Sequence, residues 1–173
     1  MTSLPHITPF EQTVRHSALE AMARYDSAAD TARIGRAVDL ILAGHVTLFP
    51  TGEADVRSHT GHGSYHVNGA CTCPDFAKAE GGRCKHRFSK AILKRAHRIL
   101  AHAWYATYSD EQGTEQQGIA FPSSEGVDWI FLPEHTLDAW PCDQDALVLG
   151  GNVALAEAQR AADGNLAAKV CGS

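Results

Sequence analysis

The chain has 173 residues, 44% of them hydrophobic and 20% charged, and a formal net charge of -5. This is the composition of a globular protein with one ordinary core, or one core and a small metal-held module, and it excludes a disordered or low-complexity chain. No apolar run is long enough to span a bilayer, and Met1 to His6 lacks the basic and apolar regions of a secretory signal. A soluble protein of the reducing cytoplasm, with no membrane partner, is therefore expected.

The charge is unevenly spread. Residues 1–70 carry a balance of -2, residues 71–104 of +6 and residues 105–173 of -9. A basic centre beside an acidic final third suggests a module that meets an anion, with a segment that competes for it or faces another partner. The predicted organisation is α+β in three parts. Residues 1–44 form a helical pair, 45–108 a metal-held module built on a small antiparallel meander and a basic helix, and 109–173 an irregular acidic α/β segment.

In chain order, Thr8-Pro9-Phe10-Glu11 has the pattern of a capping box with proline at the first helical position, which predicts a helix from Pro9 to about Arg24. Asp26 or Ser27 caps a second helix reaching about Ala43, with Gly44 as its stop and Ile34, Ala37, Val38 and Ile41 on one face. Val46 to Phe49 is the first strand, Pro50 to Glu53 a turn, and Ala54 to Ser58 the second strand. Thr60 to Gly63 turns the chain into Ser64 to Val67, and Asn68-Gly69 is a tight-turn pair that delivers Cys71.

Cys71, Cys73, Cys84 and His86 form two close pairs separated by the ten residues Pro74 to Arg83. Three thiolates and an imidazole complete a tetrahedral shell, the usual donor set of structural zinc. In an extended Cys71-Thr72-Cys73 both sulfurs point to the same face, Pro74 ends strand pairing, and Gly81-Gly82 lets the chain fold back to present Cys84 and His86 at the opening of a helix. Arg83, Lys85 and Arg87 are expected to favour thiolate over thiol. Free core thiols, disulfides and iron–sulfur ligation are the alternatives. Cysteines one residue apart rarely bridge each other, and iron–sulfur runs carry more thiolates at wider spacing. His59, His62 and His66 lie nearby, but the four-ligand shell is already full. Cys142 and Cys171 are expected to be free thiols.

With these residues in place, the stretch from about 45 to 103 resembles the SWIM zinc-finger family, whose pattern is Cys-x-Cys, a variable gap, then Cys-x-His. The likeness extends to the flanks Cys71-Thr72-Cys73-Pro74-Asp75-Phe76 and Cys84-Lys85-His86 and to the Tyr65-His66-Val67 strand before the first cysteine. The resemblance implies a small ββα-like module that binds Zn2+ and mediates contacts with DNA or with proteins. It implies no reaction.

From Cys84 to about Trp104 an apolar stripe of Phe88, Ile92, Ala96, Ile99 and Ala103 predicts an amphipathic helix. Arg87, Lys90, Lys94 and Arg98 repeat on its other side, flanked by Lys85 and Arg95, and these six are the candidate nucleic-acid contacts. Phe76 and Phe88 are expected to pack under the metal, which leaves Tyr65 as a candidate for stacking on a base. Ser109 to Gly118, without a large apolar residue, has the composition of a loop or linker. Trp129 to Leu132 is a strand, and Ala154 to Ala162 a short helix capped by Asn152.

A non-enzymatic zinc protein that binds nucleic acid is the expected function, with an adaptor for a helicase, recombinase or transposase as the alternative. No small-molecule substrate is expected. The motifs of serine hydrolases, HExxH metalloproteases, dinucleotide enzymes, P-loop ATPases and zinc deaminases do not occur. Asp128, Glu134, Asp138, Asp143 and Asp145 could be imagined as a hydrolase metal site, but carboxylates scattered through loop-rich sequence are usually plain surface.

Overall fold

A computed structural model describes residues 8–58, 63–109, 113–122, 129–133 and 147–149. Among these residues it is α+β, with three α-helices and two antiparallel sheets. The chain divides into two compact units, one comprising Ser17–Ala96 and the other Met1–His16 with His97–Ser173. No helix among the described residues is long and apolar enough to cross a membrane.

Helix α1 (Pro9–Arg24) starts where its cap dictates, with Thr8 Oγ1 accepting from the Glu11 N–H at 3.2 Å. Helix α2 (Ala28–Leu42) is capped by Ser27, whose Oγ accepts from the Asp30 N–H at 3.1 Å. Gly44, at φ 69°, ends it in the left-handed conformation while its own N–H bonds to Ile41 O. Ile34, Ala37, Val38 and Ile41 are all buried, as their spacing predicts.

Strands β1 (Val46–Leu48), β2 (Ala54–Arg57) and β3 (Ser64–Val67) form a sheet in that order. The register places Val56 opposite Tyr65 and Ala54 opposite Val67, so one face collects the apolar side chains. That face joins Leu40 of α2 and the three cysteines Cys71, Cys73 and Cys84 in one core cluster, with Val46, Leu48, Tyr65 and Phe76 against it. The turn expected at Thr60 to Gly63 lies outside the described residues except for Gly63.

Helix α3 spans Lys85–Leu100 and buries Phe88, Ile92, Ala96 and Ile99. It ends four residues earlier than the apolar stripe predicts. A tight turn closes over Ala101 to Ala103, with Ala103 buried, and Trp104 opens β4 (Trp104–Ser109). Trp-Tyr-Ala-Thr-Tyr is strand-forming sequence, and pairing across a sheet overrides helical periodicity there.

Of the linker expected at Ser109 to Gly118, Ser109 and residues 115–118 are instead strand, and residues 110–112 lie outside the described residues. β4 pairs with β5 (Glu115–Pro122) from Ser109↔Glu115 to Trp104↔Ala120, and β6 (Trp129–Pro133) and β7 (Leu147–Leu149) extend the sheet. Glu115 and Gln117 are exposed, so their polarity is that of a solvated strand end. A core of Ile99, Leu100, Ala103, Ile119, Phe121 and Leu132 forms beneath this sheet, with Phe10 and Ile130 at its margin. Gly118 is required where it stands, because a Cβ there would run into the carbonyl of Leu132. The expected strand at Trp129 to Leu132 is present. The expected helix at Ala154 to Ala162, the acidic set from Asp128 to Asp145, Cys142 and Cys171 lie outside the described residues.

Candidate metal centre

Each ligand is positioned by a local feature. The Asn68-Gly69 turn places Cys71 in a bridge opposite Val67, with Asn68 Oδ1 accepting from the Ala70 N–H. After Cys73 the chain winds through residues 74–83, with the Phe76 N–H bonded to Cys73 O at 3.1 Å and the Ala79 N–H to Asp75 O at 2.9 Å. Gly81 and Gly82 both take positive φ, 57° and 66°, and turn the chain back. At Gly82 a Cβ would also collide with the Phe76 ring, so glycine is needed twice over. Cys84 then accepts from the Arg87 and Phe88 N–H groups, which seats it at the start of α3 with His86 in the first turn.

Cys71, Cys73, Cys84 and His86 are all buried, and their ligand atoms lie within 4.8 Å of one another. Cys71 Sγ is 3.7 Å from His86 Nδ1. A zinc tetrahedron with Zn–S of about 2.3 Å and Zn–N of about 2.1 Å has edges of roughly 3.6 to 3.8 Å, so a small contraction closes the shell. No disulfide joins the three cysteines. The cluster can hold a metal ion, and its soft donor set suits zinc. Tyr65 lies with its ring 4.6 Å from that of His86 at a tilt of 32°, so the face proposed for a base is turned to the metal ligand.

Burial, and not the basic neighbours, governs the protons of these groups. Desolvation pushes the Cys71 thiol up to about 12 and also raises Cys84, while it lowers His86 to about 4, with Lys85 adding to that effect. Arg83, Lys85 and Arg87 do not offset that burial at Cys71 and Cys84, and two of the three direct their charge elsewhere. At pH 7 His86 is then neutral and ready to bind, whereas Cys71 and Cys84 must lose their protons to solvent as the metal enters. Zinc affinity should therefore rise with pH between 6 and 8. Calorimetry at pH 7 in buffers of different ionisation enthalpy should find at least two protons released per zinc; release of none would contradict the thiol protonation.

The six predicted cations do not form a free ladder. Arg95 is bound by Glu20 of α1 through two bonds of 2.9 Å. Arg87 Nη1 donates to Gly81 O and Gly82 O, each at 3.3 Å, with its guanidinium over Phe76. Lys90 Nζ donates to Val67 O at 3.4 Å. Lys85 is half-buried, and Lys94 and Arg98 are exposed. Helical spacing locates all six, but it gives no sign of which serve the chain itself. Of the nearby histidines, His66 is exposed and paired with Asp55 at 2.9 Å, away from the cluster, and His59 and His62 lie outside the described residues.

No family model, no curated protein and no solved structure matches the chain.

Proposed function

We propose that the cluster is a structural zinc centre and that the protein is a non-enzymatic, SWIM-type module that presents α3 to nucleic acid. The observation that carries this reading is the buried Cys71, Cys73, Cys84 and His86 set, whose spacing is similar to the SWIM pattern and whose ligand atoms converge. Four protein donors leave no open position for a reacting water, which favours structure over catalysis. A reducing compartment such as the cytoplasm keeps the three thiols available as ligands.

The helix that begins at the ligands carries Lys94 and Arg98 exposed one turn apart, with Lys85 and Lys90 half-buried on the same element. Two to four phosphate contacts correspond to a log–log salt slope of roughly -2 to -4 on duplex DNA, with little base selectivity. The zinc-loaded full chain should shift labelled single- or double-stranded DNA or RNA at low salt. Changing Lys94 and Arg98 together to glutamate should weaken the shift at least ~10-fold with zinc content unchanged. No shift with any of the four probes would remove this reading.

A second reading, an adaptor for a protein of nucleic-acid processing, gains from the fact that Arg87, Lys90 and Arg95 already have partners within the chain. A partner that stays bound through nuclease digestion would favour it.

A further inference from the structure

We infer that α2 is a working part of the metal centre: Asp30 and Arg33 hold the two ends of the segment that joins the ligand pairs. This rests on the zinc reading of the cluster and not on the nucleic-acid reading. Asp30 is almost wholly buried, its side chain 3% exposed, which demands compensation for a carboxylate. Arg83, the residue before Cys84, donates from Nε to Asp30 Oδ2 at 2.9 Å, and Arg33 Nη1 donates to Asp30 Oδ1 at 3.3 Å. Arg33 Nε also pairs at 3.5 Å with Oδ2 of Asp75, two residues beyond Cys73.

One end of residues 74–83 is thus tied to α2 through Asp75 and Arg33, and the other through Arg83 and Asp30. The Arg83 guanidinium is further fixed by Glu80 at 3.2 Å and lies 5.5 Å from the centre of the Tyr25 ring, which packs edge-on against Phe88 of α3. The clamp and the metal therefore close the same loop. Whichever forms first has met part of the entropy of bringing Cys71 and Cys73 to Cys84 and His86, so each raises the affinity for the other. Asp30 and Arg33 are positioning residues, since neither is among the four ligands.

The test uses the full chain with zinc alone, and measures zinc affinity by competition with a chelator of known strength. Asp30→Asn and Arg83→Gln should each weaken zinc about 10-fold, the lower end of the loss seen when groups supporting metal ligands are removed. The double variant should lose little more than either single one, because both break the same bond. Val38→Ala, a truncation of a buried α2 side chain about two turns along the helix from Asp30, is the control for general destabilisation. Unchanged zinc affinity in Asp30→Asn and Arg83→Gln, fully additive losses, or an equal loss in Val38→Ala at matched stability would overturn the clamp. Arg83→Gln alters a partly exposed side chain and keeps the test decisive should Asp30→Asn not fold. Absence of zinc uptake by the unaltered chain is a separate result that would overturn the metal reading itself.

Discussion

Cys84→Ser is expected to abolish zinc uptake and to unfold the segment from Ser64 to about Arg87. Cys84 is fully buried, sits in the core beside Leu40, Val56 and Val67, and seats the first turn of α3. A serine hydroxyl stays protonated at neutral pH and is a poor ligand for zinc, and its burial among apolar groups without a partner costs about 1–3 kcal/mol by itself. On the zinc reading the larger loss is the metal. Structural zinc supplies on the order of 10–16 kcal/mol of apparent binding energy, as much as or more than the whole stability of an ordinary domain. Lys78, Arg83, Lys85 and Arg87 should then be open to trypsin, with metal analysis showing no bound zinc. The unaltered chain stripped by a chelator should digest in the same pattern, which separates loss of metal from any effect of serine. A protease-resistant finger in the metal-free chain would contradict the zinc reading.

Phe121→Ala should cost about 3–5 kcal/mol, the range for truncating a fully buried aromatic ring. Phe121 is 1% exposed, packs with Ile99, Leu100, Ile119 and Leu132, and meets the His16 ring edge-on at 5.3 Å. Every one of these contacts lies in the unit made of Met1–His16 and His97–Ser173. The urea midpoint should move to lower concentration while zinc stoichiometry of the native protein stays unchanged. Loss of zinc in this variant would show that this core also supports the cluster.

The short-range features were legible because their causes are local. Thr8 and Ser27 start helices by bonding N–H groups three residues away, Gly44 ends one by taking a conformation costly to other residues, and Asn68-Gly69 makes its turn unaided. The candidate ligands were legible for another reason. Cysteine and histidine in two close pairs have few uses besides a metal, and residue spacing alone places them.

What the sequence did not disclose depends on partners far along the chain. Residues 109–118 have the polarity of a linker, and only pairing with β4 and β6 makes residues 115–118 strand. The helical stripe through Ala103 is real as a buried face, but sheet pairing at Trp104 takes the backbone out of the helix. Helical periodicity put Arg87, Lys90 and Arg95 on a basic face, yet Arg95 belongs to Glu20, 75 residues earlier, and Arg87 and Lys90 to backbone carbonyls. Asp30 carried no signal beyond being a residue in the first turn of a helix, and its partner Arg83 stands 53 residues away. The sequence by itself determined the starts of α1 and α2, the Gly44 stop, the Asn68-Gly69 turn and the four candidate ligands, since capping, turn geometry and ligand chemistry act over a few residues. Tertiary structure alone decided that residues 115–118 join a second sheet and which charges are spent inside the chain, because those free energies arise only when distant segments meet and exclude water.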